Sequence, residues 1–74
     1  MKTISKETLA MLREKYPAGT RVELVRMDDP YTKLTAGNKG TVNHIDDMGT
    51  IHIIWDCGSS LGAVYGVDII TKIL

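Results

Sequence analysis

The sequence predicts a small, mainly β domain of five short strands preceded by one short α-helix. Three observations carry that expectation. The stretch from Lys39 to Asp56, KGTVNHIDDMGTIHIIWD, reads as two strands around a tight turn. Clusters of Gly, Pro, Asp, Asn and Ser punctuate the rest of the chain into further strand-length runs. Only the segment before Pro17 carries apolar residues at helical spacing.

The hairpin sets the frame. Asp46-Asp47-Met48-Gly49 suits a type I turn closed by a glycine at positive φ, where a side chain is costly. With Gly49 in that role, Asp46 lies opposite Thr50, Ile45 opposite Ile51 and His44 opposite His52. Period-two alternation then puts Ile45, Ile51, Ile53 and Trp55 on one face together with Asn43. Val42, His44, His52 and Ile54 fall on the other. The first is a core face; the second is half apolar and calls for partial cover.

The remaining elements follow in chain order. Ser5 to Lys15 reads as an amphipathic helix, with Ser5 as N-cap, Glu7 in the first turn, and Leu9 and Leu12 on the apolar side. Pro17 and Gly19 end it. A helix of about ten residues is not stable alone, so it docks, either on the half-apolar hairpin face or on a sheet edge. Thr20 to Met27 is the first strand, with Val22 and Leu24 facing the core. Asp28 to Asn38 is a long irregular loop, a place where function concentrates. Cys57-Gly58-Ser59-Ser60 makes a second turn, and Leu61 to Tyr65 a short strand. Gly66-Val67-Asp68 forms a tight corner, and Ile69 to Leu74 a last strand that closes back on the first. This succession matches an SH3-like barrel, residues 16–74, with residues 1–15 as an N-terminal helical extension; a simple twisted sheet with one docked helix is the nearest rival. Closure removes exposed sheet edges, which a chain without disulfides needs.

Composition narrows the function classes. Seventy-four residues make one domain, and a chain this short buries only about 60% of its unfolded surface. The single cysteine, Cys57, excludes an intramolecular disulfide, and no Cys/His spacing fits a structural zinc site. The N-terminal residues lack the apolar run of a signal peptide, and no stretch has membrane-spanning length, so a cytoplasmic, reducing compartment is expected. Nine basic and nine acidic residues cancel, which removes the usual electrostatic argument for nucleic acid or an anionic membrane.

Several runs together, YPAGTRVEL at 16–24, MDDPY at 27–31, GTV at 40–42, IDDMGTIH at 45–52, WD at 55–56 and GSSL at 58–61, resemble a family of small bacterial domains of unknown function. That family is common in Firmicutes, their phages and conjugative elements. The likeness spans roughly residues 16–70. It implies an SH3-like barrel in a bacterial, often mobile-element setting, and no activity or catalytic residue. Cys57 stands where a polar turn residue such as Asn is expected, and Ala36 and Tyr65 where Pro is.

Among residues able to carry chemistry, His44 and His52 are predicted cross-strand neighbours, but zinc requires at least a third protein ligand. Cys57 has no local base or cation to activate it and reads as an ordinary free thiol. Asp28, Asp29, Asp46, Asp47 and Asp56 read as turn formers. No catalytic residue, metal or cofactor is expected. The reading is a non-enzymatic binding module whose site is the long loop 28–38 and the adjoining surface. Asp28, Asp29, Tyr31, Lys33 and Tyr65 are its candidate contacts, Trp55 is expected in the core, and the partner is an unidentified protein. The alternative is nucleic-acid binding through Arg26, Lys33, Lys39 and Tyr31, with Asp28 and Asp29 working against it. No membrane partner is expected, and the oligomeric state is monomer or homodimer.

Overall fold

A computed structural model of the chain describes residues 4–27 and 34–73. It contains one α-helix, α1 (Lys6–Lys15), and five strands: β1 (Arg21–Arg26), β2 (Lys39–Ile45), β3 (Thr50–Trp55), β4 (Ala63–Val64) and β5 (Ile69–Lys72). All five form one antiparallel sheet in the order β4-β3-β2-β1-β5.

Helix α1 starts where the sequence places its cap. The Ser5 hydroxyl accepts from the Thr8 N–H at 3.1 Å. At the other end the Tyr16 N–H donates to the Leu12 carbonyl before Pro17 stops the helix. Leu12 and Tyr16 are both buried and belong to the core that the sheet encloses. The helix therefore docks over the core face, not over the half-apolar hairpin face. Arg13 anchors it to the hairpin, donating to the Ile45 carbonyl at 3.1 Å and to Asp47 at 2.9 Å.

The hairpin turn forms as expected. Gly49 has φ +84°, its N–H donates to the Asp46 carbonyl, and Asp46 pairs with Thr50. Ile45 faces Ile51, and His44 faces His52. Beyond His44 the expected face assignment fails. The register slips between Val42 and His44, so Val42 pairs with Ile53 while Asn43 is the extra residue of a bulge. The slip turns Val42 into the core at 1% exposure and leaves Asn43 exposed. Below the bulge, β2 runs against β3 at very short range. A Cβ on Gly40 would sit 2.6 Å from the Ile53 side chain and 3.0 Å from backbone atoms of Ile54 and Trp55.

Trp55 is buried, as expected, and its indole N–H donates to the Leu61 carbonyl at 2.8 Å. Around it pack Val22, Leu24, Ile53 and Ala63. Leu34, inside what the sequence presents as irregular loop, is also a core residue. The end of that loop is tied to β1: the Gly37 N–H donates to the Leu24 carbonyl, and the Leu24 N–H donates to the Asn38 carbonyl.

The expected barrel is not closed. Strand β4 is two residues long rather than five, and among the described residues no ladder joins it to β5. The corner between them consumes the backbone groups that would extend β4. The Val64 carbonyl accepts from the Val67 and Asp68 N–H groups, and the Asp68 carboxylate accepts from the Val64 N–H.

Candidate functional site

The gap left by the open sheet is the most distinctive surface of the molecule. Between α1 and the β4–β5 corner lies a groove of ≈ 530 Å³, floored by Leu12, Tyr16, Ile51, Ala63 and Ile70. Its walls are Met11, Lys15 and Arg26 on one side and residues 64–69 on the other. On the far side of the same corner a second hollow of ≈ 710 Å³ is bordered by Ile4, Thr8, Met48 and Thr50. Val64, Tyr65, Gly66 and Val67 line both, so the corner is a ridge between two grooves.

The ridge and its flanks gather the exposed apolar side chains. Met11, Met48, Val64, Tyr65, Val67 and Ile69 are exposed and line one groove or the other; of the described large hydrophobics that are exposed, this leaves only Val25 and Ile54 elsewhere. A monomeric domain seldom concentrates such residues without a use for them. Lys15 and Arg26 bring two cations to the rim. Neither meets a carboxylate within ion-pair distance among the described residues.

Of the predicted contact residues, Tyr65 sits on the ridge, about half exposed. Asp28, Asp29, Tyr31 and Lys33 lie outside the described residues. Arg26 reaches the groove, but Lys39 does not join it: it stands at the start of β2 opposite Glu23, and the Lys39 charge acts on Asp56. Arg21 holds Asp56 as well, with a two-pronged contact of 2.8 and 2.6 Å and a third bond to the Thr41 hydroxyl. That contact draws the Asp56 carboxyl below its ordinary range and raises the Arg21 guanidinium. Sequence reasoning missed Met11, Met48, Val67 and Ile69. They come from three separate segments with no common spacing, and only exposure in the folded chain singles them out.

The histidines sit on the β2–β3 hairpin and line neither groove. His44 and His52 stack face to face, ring centres 4.4 Å apart and planes within 10°. His52 Nε2 lies 2.9 Å from Asp46 Oδ2; an ionised carboxylate only accepts, so this ring carries its proton on Nε2. The other Asp46 oxygen accepts from the Met48 and Thr50 N–H groups. The His52 bond, then the turn amides, hold the Asp46 carboxyl below its ordinary range. This cluster fastens the turn. Among the described residues no three His, Cys, Asp or Glu side chains are grouped to hold a metal. Cys57 is an exposed free thiol, and no described helix is long and apolar enough to cross a membrane.

A family model described as a domain of unknown function, DUF4314, matches residues 5–73. The chain belongs to the DUF4314 family. The match takes in α1, which the sequence resemblance leaves largely outside, and agrees with the burial of Leu12 in the common core of this DUF4314 domain. No curated protein and no solved structure matches the chain.

Proposed function

We propose that this DUF4314 domain is a non-enzymatic binding module that receives a protein partner on the ridge and grooves around residues 64–67. The observation that carries this reading is the concentration of exposed Met11, Met48, Val64, Tyr65, Val67 and Ile69 on one surface. Methionines suit such a surface because their flexible thioethers adapt to a partner's shape. The groove's floor is largely apolar, which favours contact over acid–base chemistry. Asp28, Asp29, Tyr31 and Lys33, the contacts first expected, follow Arg26 closely in the sequence and stay part of this proposal, although they lie outside the described residues.

The open sheet is read as SH3-like, with support from its strand order: a β1-to-β4 meander with the last strand returned beside the first. The sequence resemblance supports a bacterial, mobile-element setting and a cytoplasmic accessory or inhibitor role. The nucleic-acid alternative draws no support from Lys39, which lines neither groove and stands opposite Glu23 in the sheet. The test is photo-crosslinking in native cells with a benzophenone amino acid at position 65, 67 or 54. A discrete protein adduct from positions 65 and 67, and none from 54, is the expected result. Equal labelling at all three positions, or recovery only of nucleic acid, overturns the reading.

A further inference from the structure

The outer edge of β5 borders the groove, and its backbone can be accounted for group by group. The Val42 N–H donates to the Thr20 carbonyl and the Leu24 N–H to the Asn38 carbonyl, so even-numbered residues of this segment bond toward β2. Odd-numbered ones bond toward β5, as the Ile73 N–H to Arg21 carbonyl bond of 2.9 Å shows. Opposite Val22 and Leu24 stand Lys72 and Ile70. The N–H and C=O groups of Ile70 and Lys72 therefore point away from β1, and among the described residues no strand pairs with them. The facing edge of β4 is different, because the corner already occupies both backbone groups of Val64. One edge is sealed by its own turn; the other is left with two outward donor–acceptor pairs two residues apart, the spacing an added strand requires.

We propose that the outer edge of β5 takes up an extended, acidic segment of a partner protein as a sixth strand, with its apolar side chains in the adjoining groove. This deepens the protein-binding reading and rests on it. The chemistry of the segment follows from what borders the edge. Ile69 and Ile70 share the groove with Met11 and Tyr16, so alternate side chains of an added strand meet apolar surface. Lys15 and Arg26 on the rim and Lys72 on the edge itself form a cationic border with no ion pair to a carboxylate among the described residues, and the one carboxylate lining the groove, Asp68, is engaged by the Val64 N–H. A second copy of β5 fits this border poorly, since Ile69–Lys72 brings another lysine and no carboxylate.

The test pans a phage-displayed library of random nonapeptides against the whole domain and follows the strongest peptide by NMR. Alternating apolar residues with Asp or Glu between them are expected. Bound peptide slows hydrogen exchange of the Ile70 and Lys72 amides at least tenfold. Lys72→Pro removes an N–H that β1 does not use, and weakens the peptide at least tenfold while thermal unfolding stays cooperative. Arg26→Glu, at an exposed position, lowers affinity by a similar factor and covers the case in which the proline disturbs β5. Peptides that perturb Tyr65 and Val67 but leave Ile70 and Lys72 exchange unchanged overturn strand addition and leave the groove reading standing. Panning that yields no binder overturns strand addition too, and the groove then stands or falls on crosslinking at position 65. Self-association in sedimentation runs that Lys72→Pro abolishes would assign the edge to a second copy instead.

Discussion

Two connections between neighbouring strands lie close together in this domain and are built on opposite plans. In the β2–β3 turn the polar side chains are tied to the turn itself and to the helix. Asp46 ties together two backbone amides and His52, His52 stacks on His44, and Arg13 brings the helix onto Asp47 and the Ile45 carbonyl. At the β4–β5 corner the backbone is equally well satisfied, through Val64 and Asp68, yet Val64, Tyr65 and Val67 are turned outward. Both are stable solutions for a chain reversal. The second leaves three apolar side chains, Val64, Tyr65 and Val67, uncovered by the described chain where the first leaves only Met48, so the proposed partner would draw chiefly on the second.

The largest test of this contrast concerns the core both connections share. Trp55→Ala removes a side chain with 1% exposure and orphans the Leu61 carbonyl, so it should cost about 3–5 kcal/mol. With the thin margin of a small domain, urea titration should show a chain largely unfolded in buffer. Gly40→Ala comes next. The new methyl meets the backbone of Ile54 and Trp55, which cannot swing aside, and a loss of about 1–3 kcal/mol is expected from the denaturation midpoint. A neutral outcome would mean that β2 and β3 move apart readily enough to admit a methyl that would otherwise sit 3.0 Å from backbone atoms of β3.

Much of this core is legible in the sequence because its residues obey the strand period. Ile45, Ile51, Ile53 and Trp55 point inward as their alternation requires, and Gly49 closes the turn that fixes their pairing. Val42 is misread because a bulge at Asn43 inserts one residue and reverses the phase, and no feature of the string VNH announces it. Leu34 is hidden for another reason: a single apolar residue between polar neighbours has no period to belong to. The open barrel turns on the Asp68 carboxylate, which ends β4 by bonding the Val64 N–H four residues back, a local side-chain-to-backbone contact that strand periodicity does not announce. The candidate site is legible only at Tyr65 and Arg26. Its other members are ordinary apolar residues that become a surface by being left outside.

The turn plan predicts a pH response. The Asp46 carboxyl is held below its ordinary range chiefly by His52 and the Thr50 amide, so its stabilisation is present above the unfolded carboxylate range. It is lost as pH falls through the depressed folded value. Asp46→Ala should therefore lower stability at neutral pH by less than Gly40→Ala, because the carboxylate is partly exposed and screened. It should also flatten the fall of the thermal midpoint between about pH 5 and pH 2. If the wild-type and variant curves stay parallel across that window, the His52–Asp46 contact does not fasten the turn.

The smallest expected effect on stability decides the most about function. Tyr65→Ala and Val67→Ser each remove apolar surface that is already about half in water and touches the core only at its margin. Their unfolding midpoints should stay within about 0.5 kcal/mol of the parent, as for ordinary surface positions. A residue kept for folding does not behave so, and a residue kept for a partner does. Paired with crosslinking from a neighbouring position, the double variant should lose the adduct while keeping its full unfolding transition. Were it instead to unfold like Gly40→Ala, the ridge would be part of the core after all, and the difference between the two connections would be one of packing rather than purpose.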